Sequence, residues 1–183
     1  MPAYTYYILA VGWILWLLPF LVLHRKSQKA QTIDKRARLG ILLVMFAYTL
    51  LWQAHFWERT PRAWQFALSI LLFALAALLS WTGTLTLGRQ WRVDAGLNAD
   101  HDLVTAGPYR FIRHPIYSSL LCVLLATGFL ITPWWLFLPA LLLFVVGTAI
   151  RVHSEENLLA GHFGDRFTDY KRRVPAAYIP FLK

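Results

Sequence analysis

The amino-acid sequence predicts an all-α integral membrane protein with five transmembrane helices. Of its 183 residues, 58% are hydrophobic and only 15% are charged, whereas about a quarter of the residues in soluble domains are charged. The apolar residues form four long runs that are almost free of charge, and a helix needs about 20 such residues to cross a bilayer. The basic residues lie between alternate runs. These observations together indicate a membrane protein rather than a soluble core.

The first three runs each fit one crossing: Tyr4 to Leu23, Leu39 to Trp57 and Trp64 to Leu87. The fourth run, Ile116 to Ile150, is too long for one helix and contains Thr132-Pro133 near its middle. Proline suits the first position of a helix because its missing N–H has no helical partner there. We therefore expect helices four and five to form a hairpin around this dipeptide.

The distribution of positive charge predicts the orientation. Cytoplasmic loops of membrane proteins carry an excess of Lys and Arg. Only Arg59 and Arg62 fall outside three polar segments that can share one side, so sixteen of the eighteen basic residues are cytoplasmic if the N-terminus is outside and the C-terminus inside. In a prokaryote the membrane would be the inner (plasma) membrane. The net charge of +9 therefore indicates lipid contact and not nucleic-acid binding.

Two polar segments have the composition of a functional site: Gly88 to His114 and His153 to Lys183. The second is predicted to continue helix five, turn near Gly161 or Gly164, form a short amphipathic helix to Arg173 and end extended. Because both segments flank the hairpin, a tight hairpin brings them together at the membrane surface.

Acidic residues are scarce, and Glu155 and Glu156 are adjacent just beyond an apolar helix. Arg151 precedes Glu155 by four residues, so the two share a helix face and can pair. One interpretation is an exposed ion pair of little energetic value. The other is a binding site, since carboxylates at an apolar boundary need a cationic or hydroxyl-rich partner.

A second cluster runs from Gly107 to Tyr117 and reads GPYRFIRHPIY. Its structural interpretation is a turn followed by a helix that starts at Pro115. Its functional interpretation is a ligand site, because the helix N-terminus leaves backbone N–H groups free and Arg110, Arg113 and His114 supply further donors. The spacing alone leaves both interpretations open.

Other kinds of site are not indicated. The six histidines lack metal-ligand spacing, so no metal is expected, and the sequence contains neither G-x-G-x-x-G nor G-K-[ST]. Cys122 is the single cysteine and is interpreted as a packing residue. Gly147 and Thr148 are small enough to allow close helix contact.

These residues resemble the isoprenylcysteine carboxyl methyltransferase family, whose wider relatives include phospholipid N-methyltransferases. The resemblance spans roughly residues 85 to 183 and is carried by His101-Asp102-Leu103-Val104, Gly107-Pro108-Tyr109-Arg110, Arg113-His114-Pro115-Ile116-Tyr117, Arg151, Glu155-Glu156, Phe163-Gly164, Tyr170 and Val174-Pro175. Residues 1–84 carry no motif and would be accessory transmembrane helices, with residues 85–183 as the catalytic half.

The resemblance implies S-adenosylmethionine as cofactor and S-adenosylhomocysteine as product. The implied cofactor-binding residues are His101, Asp102, Leu103, Val104, Tyr109, His114, Pro115, Ile116, Tyr117, Glu155 and Glu156. Arg151 would bind the substrate carboxylate, and Arg151 and His114 would be catalytic. Asp94 occupies a further cofactor position, and both Asp94 and Asp102 depart from the family pattern by adding negative charge.

The implied reaction is carboxyl O-methylation of a lipophilic, isoprenylcysteine-like acceptor that reaches the site laterally through the lipid. Such a displacement depends mainly on alignment. A carboxylate is already ionised at neutral pH, so the enzyme needs one cation to orient it, and an arginine does this bidentately. Phospholipid or small-molecule N- or S-methylation is the alternative, in which His114 or Glu156 would act as the base.

Two further classes remain open at this stage. An NADPH-dependent membrane reductase for sterol-like lipids shares a His-Pro-x-Tyr fragment, but Ile116 and Ser118-Ser119 differ from the residues usual there. A transporter subunit or scaffold would carry polar or broken helices at the bilayer midplane, and the five runs show almost none. Binding of S-adenosylhomocysteine or of NADPH distinguishes these classes.

Overall fold

The computed structural model describes residues 1–23, 32–33, 36–91, 96–97 and 102–179. Within these ranges the chain forms six helices: α1 (Ala3–Val22), α2 (Ala37–Leu51), α3 (Ala63–Leu87), α4 (Pro115–Ile131), α5 (Trp134–Phe163) and α6 (Asp165–Arg173). Three of them, α1, α3 and α5, are long and apolar enough to cross a membrane, while α2 and α4 are apolar but only 15 and 17 residues long. The prediction of an all-α membrane protein is confirmed at this level.

Two short strands are a feature that the prediction lacked. Strand β1 (Thr32–Ile33) pairs antiparallel with strand β2 (Gly96–Leu97). The ladder joins the two polar segments that precede α2 and follow α3. A two-residue strand has no room for the alternating pattern from which strands are recognised.

The predicted break between α4 and α5 is confirmed, although α5 packs mainly against α2 and α4 mainly against α3. Helix α4 has Pro115 in its first turn and α5 begins directly after Pro133. The turn after α5 lies at Gly164, the second of the two predicted positions. Gly164 has a φ of +53°, a backbone conformation that glycine adopts without steric cost. It therefore separates α5 from the amphipathic α6.

The second helix is shorter than its apolar run predicted. Helix α2 ends at Leu51 instead of reaching Trp57, and Phe56–Glu58 forms a separate 3₁₀ turn. Ala54, three residues beyond this end, has a φ of +61°, which a continued α-helix does not allow. The side chain of Gln53 donates to the carbonyl of Thr49 at 3.0 Å and satisfies part of the exposed helix end. Hydrophobicity alone does not reveal this break.

Helix α4 lies at the centre of the bundle. Helix α3 packs along α4, α1 along α3, and α2 along α5. Side chains of α1, α2 and α3 also donate hydrogen bonds to α4: Trp13 to Thr127, Trp16 to Ser119, Tyr48 to the Leu120 carbonyl and Ser69 to the Ala126 carbonyl. Such bonds fix helix positions in a membrane, where lipid tails are as apolar as the helix surfaces.

Helices α2 and α5 touch backbone to backbone at two glycines. A Cβ on Gly147 would lie 2.8 Å from the carbonyl oxygen of Gly40, and a Cβ on Gly40 would lie 2.5 Å from that of Gly147. The predicted packing role of Gly147 is confirmed. A Cβ on Gly40 would also lie 2.7 Å from Cγ of Arg151, so this contact also determines the space that Arg151 occupies.

We expect Gly147→Ala to lower the free energy of unfolding by about 1–3 kcal/mol, because the added methyl group forces two backbones apart. The measurement is denaturant unfolding in detergent, followed by circular dichroism. Gly161→Ala is the matched control, since Gly161 lies in the same helix with nothing within 4 Å of its added Cβ. Equal stability of both variants would contradict the close contact.

Candidate active site

The hairpin brings the two predicted polar segments together around a cavity of about 490 Å³. Its polar lining comes from the loop before α4, the first turn of α4 and the inner half of α5. Its apolar lining includes residues of α1 and α2. The described residues that line it include Trp16, Leu17, Phe20, Ile41, Val44, Met45, Asp102, Leu103, Val104, Tyr109, Arg113, His114, Ile116, Tyr117, Arg151 and Glu155.

Arg151, Tyr117 and Glu155 form one hydrogen-bonded group in the wall of the cavity. Arg151 Nε donates to the Tyr117 hydroxyl oxygen at 2.6 Å, and Nη2 donates to Glu155 Oε1 at 3.1 Å. The Tyr117 hydroxyl donates to the same carboxylate oxygen. Arg151 is 6% exposed, so the predicted pairing of Arg151 with Glu155 is confirmed, and the interpretation as an exposed surface pair is wrong for this site.

Glu156 is not among the described residues that line the cavity, and its carboxylate lies beside three basic side chains. Arg113 Nε lies 2.7 Å from Glu156 Oε1, Lys171 Nζ lies 2.6 Å from Oε2, and His114 Nε2 lies 3.4 Å from Oε1. The side chain of Glu156 is 9% exposed, against 24% for Glu155. The adjacent glutamates therefore serve different partners, and a direct cofactor contact of Glu156 stays a prediction.

His114 stands between the two glutamates, immediately before α4. Its Nδ1 lies 3.5 Å from Glu155 Oε2 and its Nε2 3.4 Å from Glu156 Oε1. Burial disfavours the charged imidazole, but the two carboxylates outweigh it and raise the pKa of His114 above 6.5. Both ring nitrogens carry protons only in the charged form, which is the form that two carboxylates stabilise.

The segment Val174–Tyr178, here called the C-terminal strap, lies across the start of α4. The backbone N–H groups of Arg113 and His114 donate to the carbonyls of Ala176 and Ala177 at 3.0 and 2.8 Å. The Ser118 hydroxyl donates to the Tyr178 carbonyl at 2.5 Å. The strap thus fixes the segment that carries His114.

Helix α6 attaches to the same loop through its apolar face. Phe167, Tyr170 and Val174 form a small buried cluster against Leu103, and the Tyr170 hydroxyl donates to the carbonyl of Tyr109 at 2.7 Å. Burial raises the pKa of Tyr170 to about 12, so the phenol stays a hydrogen-bond donor at every physiological pH.

Most of the cofactor- and substrate-binding residues predicted from the sequence line this cavity. Pro115 is buried and is not among the described residues that line the cavity. His101 and Asp94 lie outside the described residues. The cofactor and substrate roles of all these residues stay predictions.

Sequence reasoning missed the role of two groups of residues. It offered Arg113 as a donor to a ligand, but it could not find the partners Glu156 and the strap, which lie 43 or more positions away. The apolar residues of α1 and α2 in the cavity wall carry no motif. Their only sequence signal is that they recur at helical spacing within a hydrophobic run.

A family model described as phospholipid methyltransferase matches residues 64–166, more than half of the chain. Protein-S-isoprenylcysteine O-methyltransferase B of Arabidopsis thaliana is 28% identical over 166 residues, which cover 82% of this chain and 76% of that protein. The predicted resemblance is confirmed by these matches.

Two further relatives differ in name and in length. Protein-S-isoprenylcysteine O-methyltransferase of Mus musculus is 28% identical over 142 residues, covering 70% of this chain and 46% of the relative. The cobalt-zinc-cadmium resistance protein CzcN of Cupriavidus metallidurans is 28% identical over 144 residues, covering 78% and 64%. The chain therefore spans less than two thirds of the length of these two proteins.

We expect His114 to titrate above pH 6.5. A group with a raised folded-state pKa contributes stability that is fully present below its unfolded pKa and is lost as the pH rises through the folded one. The measurement is NMR of histidine-labelled protein in detergent, with His114→Gln to assign the signal. Glu156→Gln removes one carboxylate charge and lowers the His114 pKa. A His114 pKa at or below 6.5 in the unmodified protein would contradict the described contacts.

Proposed function

Because the chain belongs to the phospholipid methyltransferase family, we propose that it is an S-adenosylmethionine-dependent methyltransferase for a lipophilic acceptor at the cytoplasmic membrane face. One observation carries this proposal. The charged group of Arg151, Tyr117 and Glu155 lines the same cavity as apolar residues of α1 and α2. A polar donor and a hydrophobic acceptor can therefore meet in a single space.

The lining suits the donor. S-adenosylmethionine supplies a methyl group made electrophilic by a sulfonium cation. The carboxylate of Glu155 and the aromatic rings of Tyr109 and Tyr117 stabilise positive charge at close range, and Leu103 and Val104 add apolar surface. A volume of about 490 Å³ lies within the usual range of small-molecule sites, about 300–1,000 Å³. His101 and Asp94 are proposed as further donor contacts on the family pattern alone.

The charges around the cavity favour a carboxylate acceptor. Arg113 and Arg151 are buried and balance the carboxylates of Glu155 and Glu156. Arg151 also lines the cavity, where a guanidinium can bind an acceptor carboxylate bidentately. Asp102 also lines the cavity, but it is exposed, and its charge is screened by water.

The bases that other acceptors need are poorly placed for that role. Proton removal from an amine or thiol would fall to His114 or Glu156. The raised pKa of His114 lowers the fraction of rings that are neutral and able to accept a proton, and Arg113 and Lys171 already pair with Glu156. A carboxylate is ionised without help. We therefore propose carboxyl O-methylation of an isoprenylcysteine-like acceptor, with Arg151 as the orienting cation.

The acceptor is proposed to approach through the lipid. Leu17 and Met45 line the cavity and are also 42% and 60% exposed on the outer surface of α1 and α2. Apolar side chains that are exposed and also line the cavity suit an opening toward acyl chains, and we propose that the acceptor enters beside them. Five crossings with an external N-terminus would put this opening beside the inner leaflet. The position of the basic residues supports that orientation.

Equilibrium binding to detergent-solubilised protein tests the proposed donor. S-adenosylhomocysteine is expected to bind and to be displaced by S-adenosylmethionine, whereas NADPH at equal concentration is expected not to bind. Binding of NADPH without S-adenosylhomocysteine would replace the proposal with a reductase. An absence of binding by both would favour a protein without enzymatic activity.

We expect Glu155→Gln to weaken S-adenosylhomocysteine binding at least tenfold, because it removes the carboxylate nearest the cavity. Isothermal titration in detergent measures the dissociation constant. Glu58→Gln is the matched control, since Glu58 is exposed in the 3₁₀ turn after α2. Unchanged affinity in Glu155→Gln would remove Glu155 from the donor site.

Arg151→Lys is expected to lower kcat/KM for a lipophilic carboxylic acid at least tenfold, because an ammonium group cannot bind the carboxylate bidentately. S-farnesyl-N-acetylcysteine serves as the probe, and Arg38→Lys, an exposed position, is the control. Affinity for S-adenosylhomocysteine is expected to change less than turnover. The reverse order of effects would place Arg151 at the donor instead of the acceptor.

A further inference from the structure

Arg113 is the point at which the C-terminal strap, the start of α4 and α5 are joined. It is 8% exposed. Its Nε donates to Glu156 Oε1 at 2.7 Å, and its Nη1 donates to the carbonyls of Val174 and Pro175 at 2.6 and 2.7 Å. One guanidinium therefore binds a carboxylate of α5 and two main-chain oxygens of the strap.

These contacts act directly on the neighbouring residue. The backbone of His114 is bound to the strap through Ala177, while its ring lies 3.5 Å from Glu155 and 3.4 Å from Glu156. The strap contacts the backbone of His114 and Glu156 lies beside its ring, and Arg113 binds both the strap and Glu156. A displacement of the strap or of Glu156 moves the ring relative to the cavity.

We propose that Arg113 is a positioning residue, which fixes the C-terminal strap and Glu156 together and so sets where the His114 ring stands in the cavity wall. The expected effect on donor binding rests on the proposed function, whereas the positioning of the His114 ring does not. Arg113 lines the cavity, but its donors face the strap and Glu156. The strap thereby becomes part of the active site, although the sequence places it 61 residues from Arg113 and at the other end of the catalytic half.

Only an arginine satisfies this geometry. A guanidinium has five N–H donors in a rigid planar fork, so it binds a carboxylate on one side and carbonyls on another. A lysine in its place keeps the charge next to Glu156 but cannot span these three acceptors. Arg113→Lys therefore separates the positioning role from the electrostatic one.

The experiment compares Arg113→Lys with Arg110→Lys. Arg110 was a candidate donor in the sequence, but it is exposed and is not among the described residues that line the cavity. The first readout is the His114 pKa, followed by NMR in detergent. The charged groups around the ring are Glu155, Glu156, Arg113 and Arg151, and all of their charges are kept in both variants. Positioning by Arg113 predicts that the His114 pKa falls toward 6.5 in Arg113→Lys and is unchanged in Arg110→Lys.

The second readout is the dissociation constant of S-adenosylhomocysteine. We expect a rise of about tenfold in Arg113→Lys, the effect of losing a charge-assisted hydrogen bond, and a change within about twofold in Arg110→Lys. An Arg113→Lys protein with the His114 pKa and the affinity of the unmodified chain would overturn the proposal.

A second pair of variants applies if Arg113→Lys does not fold. Ser118→Ala removes the hydroxyl bond to the strap at Tyr178 without touching the Glu156 cluster. Ser69→Ala removes a comparable buried bond to the Ala126 carbonyl. The His114 pKa is expected to fall in Ser118→Ala only, and equal pKa values in both variants would overturn the proposal.

The two proposals fail in different ways. If the unmodified chain binds no S-adenosylhomocysteine, the proposed donor is wrong, while the His114 pKa still decides whether Arg113 positions the ring. If the unmodified chain binds it and Arg113→Lys changes neither readout, only the positioning role is lost.

Discussion

Two adjacent carboxylates at the edge of a bilayer are the constraint on which this structure depends. Burying Glu155 and Glu156 is unfavourable unless cations compensate them. The chain supplies Arg151 from the same helix, Arg113 and His114 from the start of α4, and Lys171 from α6. These partners come from three parts of the chain, so satisfying the carboxylates assembles the site.

The two glutamates contact different partners. Glu156 lies beside Arg113, His114 and Lys171, and so it links α5 to α6 and to the loop before α4. Glu155 remains partly accessible from the cavity and holds Arg151 and Tyr117 in place, and it is the glutamate proposed to bind the donor. The contacts of Glu156 link α6 and the loop before α4 to this cavity wall.

Local patterns in the sequence predicted what depends on short spacing. The split at Thr132-Pro133, the turn at Gly164 and the pairing of Arg151 with Glu155 each follow from residues within four positions of one another. The partners of Arg113, the ladder of β1 and β2, and the contribution of α1 and α2 to the cavity depend on contacts between distant segments. Contacts between distant segments leave no periodic pattern of apolar residues in the sequence. Ala54 shows the limit for α2, since an apolar run does not reveal a residue with positive φ.

The most direct test is methyl transfer itself. The purified protein in lipid vesicles is supplied with methyl-labelled S-adenosylmethionine and S-farnesyl-N-acetylcysteine, and the extracted lipid product is treated with mild base. The account predicts time-dependent incorporation of label that base releases as methanol, as expected of a methyl ester. The probe has no free amine or thiol, so base-resistant label in an amine lipid of the vesicles would show N-methylation instead. No incorporation by protein that binds the donor would contradict the carboxylate acceptor.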